Sequence, residues 1–135
     1  MNVTGQCHCG KIAYAAAIDP DKVGICHYTD CQTMTGSAFR TVVPTVPGSF
    51  ILKRGQPKIY VKTAESGTRR VQAFCPDCGT PIYADNADGP PLHSLRVGTI
   101  TERATLSPKR QIWCSSALPW VASLGGIARF ERQPT

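Results

Sequence analysis

The residues best able to do chemistry in this chain are its seven cysteines, Cys7, Cys9, Cys26, Cys31, Cys75, Cys78 and Cys114. In Cys75-Pro76-Asp77-Cys78-Gly79 the two sulfurs lie about one turn apart and Pro76 stiffens that turn. A glycine at 79 supplies the positive φ that lets backbone N–H groups point at thiolate sulfur. Cys7-His8-Cys9-Gly10 is the natural counterpart. Two such knuckles, each donating two thiolates, close a tetrahedron around zinc, and a closed four-cysteine tetrahedron is structural because no position remains for a substrate. A disulfide framework is disfavoured by the odd cysteine count, and a thioredoxin-type redox pair would need a βαβ setting that Cys75 and Cys78, lying between two strands, do not have.

A third cluster, Ile25-Cys26-His27-Tyr28-Thr29-Asp30-Cys31-Gln32, offers two thiols separated by four residues. These could ligate a second zinc, but two sulfurs fall short of the three protein ligands of a catalytic site. The third would come from Tyr28, from His27 or from a residue distant in sequence; the alternative is a pair of reduced thiols packed in the core. His8 and His27 each adjoin a cysteine, and alternation along an extended chain turns them away from its metal, as surface groups or partners of the ligands. His93 reads as a strand or loop residue, and Cys114 as a small apolar side chain in the core. Trp113 and Trp120 are expected to be structural, filling the core or flanking a cleft.

The elements that must position these groups are short. Eleven prolines and twelve glycines punctuate 135 residues. Between them lie runs of three to six residues rich in β-branched and aromatic side chains: Ile12 to Tyr14, Val23 to Ile25, Ala38 to Val43, Ser49 to Leu52, Lys58 to Lys62, Arg70 to Phe74, Pro81 to Tyr83, Leu95 to Val97 and Gln111 to Trp113. Helical periodicity is confined to a turn at Asp30 to Met34, stopped by Gly36, and a turn near Leu118-Pro119-Trp120. The expectation is an all-β protein of about nine strands with little helix, forming one domain over residues 1–135.

Composition narrows the partners. The formal charge of +6 falls to about +4 once four thiolates and one zinc are counted, and the lysines and arginines are scattered without a basic helix or basic-aromatic stripe. Nucleic acid is therefore not an expected partner. No stretch approaches the ~20 apolar residues of a membrane helix, and the N-terminus lacks the basic start and apolar run of a signal peptide, so a cytoplasmic, thiol-reducing setting is expected.

Taken in order, Gly5-Gln6-Cys7-His8-Cys9-Gly10, Cys26-His27-Tyr28-Thr29-Asp30-Cys31 leading to Thr35-Gly36-Ser37-Ala38-Phe39, Phe74-Cys75-Pro76-Asp77-Cys78-Gly79-Thr80-Pro81, and the late Trp113 and Pro119-Trp120 resemble the glutathione-dependent formaldehyde-activating enzyme family. The resemblance spans about residues 4 to 121. It implies a β-tent type fold of short antiparallel strands in two to three small sheets. It also implies a structural zinc on Cys7, Cys9, Cys75 and Cys78, the same four that spacing selects. A second zinc, associated with S-hydroxymethylglutathione formation, would sit in the middle cluster on Cys26 and Cys31. There the family's pattern has a cysteine where this chain has Tyr28. A phenol is a harder, weaker zinc ligand than a thiolate, so the second site is weakened: Tyr28 ligates, another group completes the site, or it stays empty.

The resemblance points to a carbon–sulfur lyase that combines formaldehyde with glutathione. Arg40, just after the Thr35-Gly36-Ser37 loop, is the candidate anchor for a glutathione carboxylate, or else a solvent-facing strand residue. The alternative is a catalytically inactive zinc-stapled module that holds a thiol or a protein partner.

Overall fold

A computed structural model describes residues 1–134. Its architecture is mostly β, in two sheets. The smaller is built from β1 (Asn2–Gln6), β2 (Ala13–Ala17) and β5 (Ile51–Arg54), antiparallel in the order β1-β2-β5. The larger contains β3 (Gly24–Cys26), β4 (Arg40–Pro44), β6 (Lys58–Thr63), β7 (Arg69–Phe74), β8 (Pro81–Asn86), β9 (Ser94–Arg96) and β10 (Arg110–Ile112), in the order β10-β3-β4-β9-β8-β7-β6. One α-helix, α1 (Thr29–Thr35), follows β3 and ends at Gly36 in the left-handed conformation. The rest of the helical content is short 3₁₀ turns, the longest spanning Pro119–Gly126. No helix among the described residues is long and apolar enough to cross a membrane.

Three sequence expectations need correction. The first strand, Asn2–Gln6, carries no β-branched run beyond Val3 and Thr4, and it forms because pairing with β2 buries Val3 opposite Ala16 and brings Gly5 opposite Tyr14. A Cβ on Gly5 would lie 2.3 Å from the Tyr14 ring, so a bare backbone there admits the ring to the core. The strands are not all antiparallel, since β10 runs parallel to β3. One of the sheets, with seven strands, is not small.

The core lies between the sheets. Val3, Ile12, Tyr14 and Ile18 from the smaller sheet and its flanks meet Val43, Ile82, Leu95 and Ile100, each at most 2% exposed. Each such aliphatic side chain contributes about 1.5–3 kcal/mol by leaving water. The one polar atom Tyr14 brings inside is satisfied by Thr99, with the two hydroxyl oxygens 2.8 Å apart. Burial pushes that phenol up to about 12.

Gly55, between β5 and β6, has φ +79, and a Cβ there would lie 2.3 Å from the Lys11 carbonyl oxygen beside the first cysteine pair. Gly48 has a similar φ of +78 but open space around it. Gly48→Ala should therefore cost about 1 kcal/mol of stability, and Gly55→Ala about 1–3 kcal/mol more. Urea midpoints at equal slope measure the difference, and equal losses would show that the close approach at Lys11 is not a constraint.

Candidate metal centre and adjoining cleft

Each of the outer cysteine pairs occupies a hairpin turn, one from each sheet. Cys7 and Cys9 sit in the β1–β2 turn, closed by hydrogen bonds from the Cys7 amide to the Ile12 carbonyl (3.1 Å) and from the Gly10 amide to the Cys7 carbonyl (3.1 Å). Cys75 and Cys78 sit in the β7–β8 turn, closed from the Cys75 amide to the Thr80 carbonyl (2.9 Å) and from the Gly79 amide to the Cys75 carbonyl (2.8 Å). Gly10 (φ 80) and Gly79 (φ 77) hold the positive φ that each turn requires. The turns are joined laterally as well: the His8 amide donates to the Thr80 hydroxyl at 3.1 Å, and Lys11 pairs with Asp77 at 3.3 Å.

This geometry brings all four sulfurs within 4.8 Å of one another, an arrangement that could hold a metal ion. A tetrahedron with metal–sulfur arms of about 2.3 Å has edges of about 3.8 Å. The Cys7–Cys9 and Cys9–Cys75 separations are 3.6 and 3.7 Å. The donor set fits zinc in both chemistry and spacing. Two amides already aim at sulfur, Ile12 N–H at Cys7 (3.3 Å) and Cys78 N–H at Cys75 (3.5 Å). Cys7 and Cys75 are buried, whereas Cys9 and Cys78 face solvent.

The protonation of the cluster points the same way. The Thr80 hydroxyl, with backbone groups at Cys9 and Thr80, holds the Cys78 thiol down to about 5. At Cys9 the Lys11 amide favours the thiolate, but desolvation and the neighbouring sulfurs outweigh it and push the thiol up to about 11. Ionising all four this close would need a cation among them, and a dication is the simplest way to supply it.

The middle cluster lies on the outer face of the larger sheet. Cys26 on β3 pairs across the ladder with Arg40 on β4; Val42, two residues on, pairs with Arg96 on β9; and Ser94 connects through Ala84 on β8 to Gln72 on β7. Period-2 alternation therefore points Cys26, Arg40, Arg96 and Gln72 to one side. Over this row α1 brings Cys31 and Met34, and Tyr28 and Trp113 complete a cavity of about 300 Å³. The Tyr28 ring packs on Trp113 with centroids 4.5 Å apart, and Lys62 Nζ lies 4.8 Å from its centroid while bonding Asp30 at 3.0 Å.

Cys26 and Cys31 are 3.5 Å apart. The Cys26 pKa is raised by that contact and by burial. Cys31 is lowered to about 6, first by the contact with Cys26 and further by Arg40, Arg96 and Lys62. The surroundings are cationic: Arg40, Lys62, Arg70 and Arg96 line the cavity against the lone carboxylate of Glu65.

Arg40 is 4% exposed, so the solvent-facing alternative is overturned by its position on the cleft face. Its Nη1 donates to Gln72 Oε1 at 3.3 Å, and Arg96 Nη2 donates to the same oxygen at 2.7 Å. Burial, and after it the charge of Arg40, lowers Arg96 to about 9, which leaves it protonated at neutral pH. Gln72, Arg96, Arg70 and Lys62 were not singled out in the sequence; the signal available was the strand alternation that aligns them with Cys26.

Other expectations shift. Cys114 is exposed rather than packed in the core, and Trp113 and Trp120 are 49% and 56% exposed, so neither fills the core, although Trp113 flanks the cleft. His8 is exposed. His27 is buried and directed away from the thiols, with Nε2 2.7 Å from Gln111 Oε1 and its ring against Phe39. His93 lies in the loop before β9, stacked on Phe50 at 4.4 Å and paired with Asp85 at 3.6 Å.

The family model for the glutathione-dependent formaldehyde-activating enzyme matches residues 2–116. The solved structure of a Rhodobacter sphaeroides protein is similar with a TM-score of 0.61 at 15% identity, covering 80% of this chain and 98% of that one, a likeness of fold. No curated protein matches the chain in sequence.

Cys78→Ser should weaken metal retention at least tenfold and lower the melting temperature, since three thiolates leave the shell open. Cys114→Ser, exposed and outside both clusters, should leave both unchanged. Metal content after dialysis and thermal melting read the pair, and equal behaviour of the two variants would contradict the four-sulfur centre.

Proposed function

The chain belongs to the glutathione-dependent formaldehyde-activating enzyme family, and from that membership we propose that it adds the thiol of glutathione to formaldehyde, as a carbon–sulfur lyase does in reverse. The structural zinc is assigned to Cys7, Cys9, Cys75 and Cys78, where it staples the two hairpin turns. The reaction is assigned to the cleft of Cys26, Tyr28, Cys31 and Arg40. The single observation that carries this reading is the convergence of those four side chains in one cavity.

A second zinc does not fit this cleft well. It offers two sulfurs and a phenol instead of three sulfurs, and Arg40, Arg96 and Lys62 already act on the Cys31 sulfur as counter-charges. The protein's own groups can carry the chemistry. Arg40 and Arg96 bind a carboxylate of glutathione and favour the ionised thiol in the cleft. The thiolate attacks the carbonyl carbon, a C–S bond forms, and the C=O π pair moves to oxygen. That oxygen takes a proton from the Tyr28 hydroxyl, which is replenished by the proton the thiol released. No electrons are gained or lost overall, and the product is the hemithioacetal.

Wild-type protein should hold close to one zinc per chain and accelerate adduct formation only modestly. Tyr28→Cys should raise zinc from near one toward two and increase turnover, while Tyr28→Phe should lower turnover about tenfold at unchanged zinc content. Isotope-labelled formaldehyde followed by NMR, together with metal analysis, measures both. Two tightly held zincs in the wild type would contradict this reading, and binding of glutathione without any acceleration would favour a thiol-binding module.

A further inference from the structure

Arg40, buried, and Arg96, half-buried, are two cations with no carboxylate bonded to either among the described residues. Both donate to one neutral acceptor, Gln72 Oε1, and the Nε of each is buried without a hydrogen-bond partner among the described residues. Two guanidiniums held this way repel one another, and burial strips them of the water that would screen the repulsion. The sulfurs of Cys26 and Cys31 are the counter-charges that act on Arg40. An oxyanion between the arginines would relieve the rest, since a planar carboxylate matches the donor fork of a guanidinium.

What lies on the other side of the pair defines the remainder of such a ligand. Met34, Arg40, Gln72 and Arg96 form a wall common to the thiol cleft and to a second cavity of about 440 Å³. Beyond that wall the second cavity is lined by Ile59, Tyr60, Phe74, Pro81 and Tyr83. Tyr60 and Phe74 share the Gln72 face by register, and with Met34 and Pro81 they offer an apolar volume in which the only further charged side chain among the described residues is Lys58. A polar tripeptide would leave its amide groups unsatisfied there.

We infer that Arg40, Gln72 and Arg96 form the head of a binding site for an apolar-bodied carboxylic acid, whose acid group sits on the two arginines and whose chain or ring fills the cavity beside Met34, Tyr60 and Phe74. The site lies beside the thiol cleft and does not require a thiol in its ligand. It rests on the reading above only in giving Arg40 a carboxylate to bind. Charge complementarity fixes the head group and the cavity lining fixes the body, which makes this a specificity the family reaction does not call for.

Calorimetric titration of the metal-loaded protein tests it with 3-phenylpropionate, its neutral amide 3-phenylpropionamide, and inorganic sulfate. The acid should bind at least tenfold more tightly than either of the other two. Arg40→Gln should abolish that preference for acid over amide, with zinc content confirming that the variant is folded. Met34→Glu, on the half-buried face of a short helix, should weaken acid binding tenfold or more by presenting a competing carboxylate to Arg40. An amide that binds as tightly as the acid, sulfate that matches the acid, or undiminished acid binding in both variants would overturn the inference. Because the probe has no thiol, loss of glutathione turnover with acid binding intact would count against the proposed function alone.

Discussion

The convergence of four sulfurs at the meeting of two hairpin turns is the constraint on which the rest of the molecule depends. The β1–β2 turn belongs to the smaller sheet and the β7–β8 turn to the larger. Apart from isolated bridges such as Gly5 to Ile100 and Ile18 to Thr45, the sheets share no ladder among the described residues. Apolar packing holds them face to face but is non-directional and would tolerate sliding. A metal held by the four sulfurs would fix one end of that stack to a fraction of an ångström, and Lys11–Asp77 and His8–Thr80 join the turns at the rim.

With the sheets fixed in this way, the outer face of the larger one becomes a rigid platform. Cys26, Arg40, Arg96 and Gln72 are ladder neighbours or one step removed, so their relative placement is set by backbone hydrogen bonds rather than by loops. The molecule thus handles sulfur in two ways. In the turns, four sulfurs converge with Lys11, itself paired to Asp77, as the nearby cation, and their spacing suits a metal. In the cleft, two thiols lie beside Tyr28 and face Arg40, Arg96 and Lys62. A dication and a cluster of guanidiniums compete for the same negative charge, and in the cleft the guanidiniums are already in place.

The four-cysteine cluster was legible in the sequence because its signal is local: each pair lies within one turn and carries its own glycine. The α1 turn and most strands were equally local, bounded by Gly36 or by prolines. The first strand was missed because Gly5, a poor strand residue by propensity, is selected by the Tyr14 ring stacked across from it. The parallel β10 could not be seen because nothing in Arg110-Gln111-Ile112 specifies its direction; the return of the chain past Val23, whose carbonyl accepts from the Lys109 amide at 2.8 Å, does. Arg96 and Gln72 escaped notice for a related reason: they join Arg40 only after four strands have paired in register. The exposed Trp113 and Trp120 show the limit of reading aromatic residues as core.

The most direct test of the account is X-ray absorption at the zinc edge of protein purified without added metal. Four sulfur neighbours at about 2.3 Å, with no oxygen or nitrogen in the first shell, are expected. A shell averaging three sulfurs and one oxygen, or one in which lighter atoms predominate, would place the metal in the cleft with Tyr28 instead and contradict the claim that the hairpin turns are its seat.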